Sequence, residues 1–138
     1  MRVTTTAPDW ARPLVEQVCA DYKRALPEKL QWYNTKEKHT SGHTRYSGKI
    51  HVSAGTDSWE HLPVLLHELA HWIIGRTPKG RRAGHNLAFW QLVAQLNAKH
   101  GDLGLAFKRE VSLATEWRPG TRKTAVAVFA ERGYRDEN

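Results

Sequence analysis

Cys19 is the only cysteine in 138 residues, which excludes an internal disulfide framework. No apolar stretch approaches the roughly 20 residues needed to span a bilayer, and Met1 to Pro8 lack the apolar core of a signal peptide. These absences predict a cytoplasmic protein with no membrane partner. Repeats, low-complexity tracts and Pro/Ser-rich linkers are also missing, so a single domain with a modest core is expected over 1–138, its tail from about 131 to 138 fraying. Acidic residues are scarce as well: 14 Asp and Glu stand against 21 Lys and Arg, a net charge of +7 that favours phosphate-bearing or acidic partners.

What the chain does have is the pentapeptide His67-Glu68-Leu69-Ala70-His71, set in the apolar-rich run from Leu62 to Ile74. Residues four apart on an α-helix lie one turn above each other, so His67 and His71 can aim imidazole nitrogens at one ion. Glu68 flanks the same face, near enough to polarise a water on the metal without being a ligand. Leu62, Leu65, Leu66, Leu69, Ile73 and Ile74 follow the 3.6-residue period of a buried helix, and Gly75 offers its stop. A buried helix carrying two histidines and a glutamate on one stripe needs something to satisfy them, and the expected cofactor is Zn2+.

Catalytic zinc takes three protein ligands and leaves a fourth position open. The longer pattern H-E-x-x-H-x-x-G-x-x-H is excluded, because it needs Gly and His where this chain has Ile74 and Thr77. His85 is the better third ligand: it opens the next amphipathic segment on the same face as Phe89, Leu92 and Leu96, and a helix pair joined by the loop Arg76 to Ala83 would bring it against His67 and His71. Glu110 and Glu116 stay as substitutes.

His67-Glu68-Leu69-Ala70-His71, then His85-x-x-x-Phe89-Trp90-x-Leu92, preceded by Thr44 to Val52, resembles the SprT-like zinc metallopeptidases and their YgjP-like relatives. The similarity covers about Thr40 to Leu96, a little under half the chain. It implies a zincin fold, zinc on His67, His71 and His85, Glu68 as general base, and a link to nucleic-acid-associated proteolysis. The cysteine-rich zinc ribbon of many SprT proteins has no counterpart here.

The rest of the chain predicts an α+β fold, helices packed on a short antiparallel or mixed sheet. Asp9 can cap a helix from Trp10 to about Lys23. Lys29 to Asn34, His43 to Tyr46 and Lys49 to Ser53 read as strands, with Ser47-Gly48 as a tight turn. The zinc helix follows, from about Trp59 to Ile74, with Pro63 tolerable only near its first turn. Thr124 to Ala130 fits strand or helix, and Trp117-Arg118-Pro119-Gly120 reads as a loop. By the resemblance, Lys49 to Ser53 is the edge strand of a cleft, where an extended peptide can pair through its main chain.

The expected reaction is metal-assisted hydrolysis of a protein or peptide substrate, with Glu68 moving the proton and Tyr46, His51 or Arg45 stabilising the oxyanion. Arg76, Lys79, Arg81 and Arg82 crowd the loop between the ligand-bearing helices without an acid among them, and are the candidate contacts to DNA or RNA. Lys36, Lys38, His39, His43 and Arg45 enrich the hairpin region in the same way. Two alternatives remain open: a zinc-dependent phosphodiester or nucleotide hydrolase, and a non-catalytic nucleic-acid-binding module with structural zinc.

Overall fold

The computed structural model describes residues 1–75, 84–113 and 117–135. Its elements run β1 (Arg2–Val3), α1 (Ala11–Asp21), β2 (Lys29–Asn34), β3 (Ser41–Arg45), β4 (Lys49–Ala54), a 3-10 turn (Ser58–Glu60), α2 (His61–Ile74), α3 (Leu87–His100), α4 (Leu103–Phe107), a π turn (Lys108–Ser112) and α5 (Pro119–Glu131). This is an α+β fold on one mixed sheet of order β1-β2-β4-β3. β1 pairs parallel with β2, and β2 with β4, while β3 is antiparallel to β4. Among the described residues no helix is long and apolar enough to cross a membrane.

Alternation along the strands sets the layers. Leu30 and Trp32 of β2, and Ile50, Val52 and Ala54 of β4, point to the helices and join one core with Val15 and Val18 of α1, Leu65, Leu66 and Leu69 of α2, Phe89 and Trp90 of α3, and Phe129 of α5. The residues between them face the other way and are exposed or half-buried. A sheet with one packed and one open face has this pattern.

Several local expectations change. Asp9 does not cap α1: the chain is already helical at Trp10, no side chain bonds the helix start, and the Ala11 N–H goes to the Pro8 carbonyl at 3.0 Å. Strand β3 begins two residues earlier than the pattern suggests and ends at Arg45. β4 is internal, hydrogen-bonded on both sides, so the open edge next to α2 belongs to β3 and not to Lys49–Ser53. Pro63 sits in the first turn of α2, where no N–H is required of it. Gly75 ends that helix with φ +73°, and a Cβ there would come within 2.7 Å of the Arg24 guanidinium.

His85 does not open α3. Asn86 is extended and its side chain accepts the Phe89 N–H at 3.0 Å, which starts the helix at Leu87 and leaves His85 just before it. Thr124 to Ala130 lies inside α5, and Pro119 and Gly120 are the first residues of that helix, since proline at N1 needs no donor. Of the tail expected from 131, Glu131 closes α5 and residues 136–138 lie outside those described.

Candidate metal centre

Helix α2 presents His67 and His71 one turn apart, and His85 meets them from just before α3. One nitrogen from each of the three lies within 4.8 Å of the other two. The His71 and His85 Nε2 atoms are 3.1 Å apart, near the roughly 3.3 Å that separates two nitrogens in a tetrahedral shell with bonds of about 2.05 Å. His67 and His71 are buried, at 8% and 7% exposure, so they meet water only through the cavities beside them.

The tautomer of His67 is set by Glu110, whose Oε1 lies 2.9 Å from Nδ1. Nδ1–H donates to that carboxylate, and in the neutral ring Nε2 keeps its lone pair, as a carboxylate–histidine–metal relay requires. Glu110 therefore sits behind His67 rather than serving as the third ligand. Glu116, the other substitute, lies outside the described residues. Three imidazoles, one oriented from behind, make a donor set that fits zinc once the rings give up their protons to it.

Burial alone would push the His67 pKa down, but the charge and hydrogen bond of Glu110, helped by Glu68, reverse this and hold it above the ordinary 6.5. A group whose folded pKa is raised stabilises the fold fully below its unfolded value and loses that contribution as pH rises through the folded one. The metal-free protein is therefore expected to lose this increment above about pH 6.5. Thermal melts of wild type and Glu110→Gln across pH 5.5–9 should converge toward the alkaline end, because the variant lacks the charge that favours the imidazolium. A constant gap between the two would remove Glu110 as its cause.

Glu68 is buried at 5% exposure on the same helix. The Thr44 hydroxyl of β3 lies 3.0 Å from Glu68 Oε1 and 2.9 Å from its backbone carbonyl, fixing the carboxylate from the strand side. Gly42 makes this approach feasible. A Cβ there would stand 2.9 Å from the His51 carbonyl oxygen, 3.0 Å from Glu68 Cγ and 3.2 Å from Val64 Cγ1, so any side chain would push β3 off α2.

Aromatic rings enclose the histidines. Phe89 stacks on His71 with centroids 4.3 Å apart, and Trp117 lies parallel to His67 at 5.8 Å and against His85 at 4.4 Å. The Trp117 indole N–H donates to the Glu110 carbonyl at 3.0 Å, tying this roof to the residue behind His67. Two cavities of about 110 and 200 Å³ flank the cluster; Gly42, His67, Glu68 and Trp117 line both. The smaller extends to Arg109 and Glu110, the larger to His43, His71 and His85.

Three expected oxyanion stabilisers line neither cavity. His51 and Arg45 belong to the open face of the sheet, in register with His43 and Lys49, and Tyr46 packs against the core from the turn after β3. Arg76, Lys79, Arg81 and Arg82 lie outside the described residues. Thr44, Gly42, Glu110 and Trp117 carry roles that spacing along the chain does not reveal, since Thr44 and Gly42 meet Glu68 across 24 and 26 residues, and Glu110 and Trp117 meet His67 across 43 and 50.

A second group, His39, Asp57 and Glu60, also places three potential donor atoms together. Glu60 is fully buried and already engaged: Oε1 lies 2.7 Å from His39 Nδ1 and 4.0 Å from Arg109 Nε, and Oε2 accepts the Thr40 N–H at 2.8 Å. These bonds pin the β2–β3 connection to the start of α2. Comparison with protein-family models, curated proteins and solved structures returned no match.

Proposed function

We propose that this chain is a zinc-dependent peptidase, with His67, His71 and His85 holding the ion and Glu68 as general base. The observation that carries this reading is the convergence of three imidazoles beside a buried glutamate on one helix, with Glu110 presenting Nε2 of His67 to the site. Zinc in such a shell supplies Lewis acidity and lowers the pKa of water toward about 7. Glu68 accepts the proton of the attacking water and returns it to the departing amine nitrogen. Thr44 keeps the carboxylate aimed, Glu110 keeps His67 in its binding tautomer, and Trp117 with Phe89 limits water around the ligands.

Substrate selection follows from the sheet. The free edge of β3 can accept an extended peptide by main-chain pairing, and Ser41 and Gly42 lead from that edge to the cavities. Recognition is then largely of backbone, with side chains read weakly.

Removal of metal tests the proposal. Incubation with a chelator should abolish cleavage of an unfolded protein substrate, and one equivalent of zinc should restore it. Cleavage that persists in the chelator rejects the zinc reading. Turnover of RNA or nucleotides, with peptides untouched, would make the same centre a phosphodiesterase instead.

A further inference from the structure

The open face of the sheet carries a row of cations that the metal centre does not use. Strand register places Arg2 opposite Lys29, Lys29 opposite Lys49, and Lys49 opposite Arg45, one basic side chain from each of the four strands in a single line. With strands about 4.8 Å apart, the row packs four positive charges into roughly 14 Å. Like charges directly opposite one another destabilise a sheet. No strand position from β1 to β4 is acidic, and among the described residues none of the four cations is ion-paired with a carboxylate. Charges on edge strands can serve to block aggregation, which would account for Arg2 and Arg45. It does not account for Lys29 and Lys49, which are on the two internal strands.

Beside this row runs a line of rings. His43 and His51 pair across β3 and β4 with centroids 4.6 Å apart, and Tyr33 of β2 meets His51 at 4.9 Å. Tyr33 is 43% exposed, leaving part of its ring open to a partner. Burial together with His43, Lys49 and Arg45 pushes the His51 pKa down, so its ring stays neutral and able to stack while the row beside it stays charged.

We propose that this face binds single-stranded nucleic acid, the row Arg2–Lys29–Lys49–Arg45 taking backbone phosphates and Tyr33, His51 and His43 stacking bases. The cations neutralise a linear polyanion, and the adjoining rings distinguish a strand with exposed bases from any other polyanion. A duplex hides those bases and binds more weakly. Of these residues only His43 also lines a cavity of the metal centre, and the proposal does not depend on hydrolysis.

Fluorescence anisotropy with labelled oligothymidylate and oligouridylate tests it, using the full chain over a range of salt concentrations. The variant Arg2→Gln/Lys29→Gln/Arg45→Gln/Lys49→Gln keeps the apolar stems and should lose at least ten-fold in affinity. Its log–log salt slope should be shallower by about 3, from roughly 0.7 per phosphate contact on single strands. Its melting temperature should not fall, because the like-charge row is gone. Should the fourfold variant fail to fold, Lys29→Gln and Lys49→Gln each carry about a quarter of the slope change. Tyr33→Ala should weaken oligonucleotide binding roughly ten-fold while leaving competition by inorganic polyphosphate unchanged.

An unaltered slope and affinity in the row variants overturns the proposal. So does Tyr33→Ala indistinguishable from wild type, which would reduce the face to a general polyanion surface. Binding to phosphatidylserine vesicles but not to oligonucleotides would replace nucleic acid with a lipid surface. Loss of binding only on changing Arg76, Lys79, Arg81 and Arg82 would move the site to those residues.

Discussion

Glu68→Gln is expected to retain metal and fold while lowering peptide hydrolysis by about 10²–10⁴-fold, the range a positioned general base supplies. Glutamine keeps the size of the side chain and still accepts a hydrogen bond from Thr44, 3.0 Å from Oε1 in the native protein. It cannot take a proton from water. Metal content, thermal melts and single-turnover cleavage of a peptide separate the possibilities. A variant that holds metal and cleaves at close to the wild-type rate rules out Glu68 as the base, whereas loss of metal or fold would give the residue a structural role.

His67→Ala, His71→Ala and His85→Ala should each lower zinc occupancy from near one per chain to a small fraction, because an incomplete shell of two imidazoles binds weakly. Glu110→Gln should be milder, weakening zinc by about 10–100-fold, since it still accepts the His67 N–H but no longer polarises the ring. The order of these effects discriminates between roles. If Glu110→Ala empties the site while His85→Ala leaves it full, Glu110 is the third ligand and His85 is not. Elemental analysis of dialysed protein, with circular dichroism as a check on folding, gives the answer directly.

The helix bearing the metal motif is legible in the chain because its information is local. Apolar residues at 3.6-residue spacing and Gly75 lie within one continuous run, and the structure ends α2 at Ile74 as the pattern suggests. The strands Lys29–Asn34 and Lys49–Ala54 are similarly plain, since alternation writes their two faces into neighbouring residues. Less was legible where two local signals compete. The Asn86 side-chain bond to Phe89 overrides the amphipathic pattern that would have begun the helix at His85, and Pro119 starts a helix where Trp-Arg-Pro-Gly reads as a turn.

Sequence by itself determined the placing of His67 and His71 one turn apart on a helix, the glutamate between them, the excess of positive charge and the α+β class, all of which follow from residue type and short-range period. Only the tertiary structure decided that His85 reaches His71, that Glu110 stands behind His67, that Thr44 and Gly42 bring β3 against Glu68, and that Trp117 covers the cluster. It also decided which strand is the open edge and that four cations scattered from Arg2 to Lys49 fall in one row. The reason is physical: strand register and helix packing are set by burying one shared core, and that choice fixes long-range neighbours that spacing along the chain does not encode.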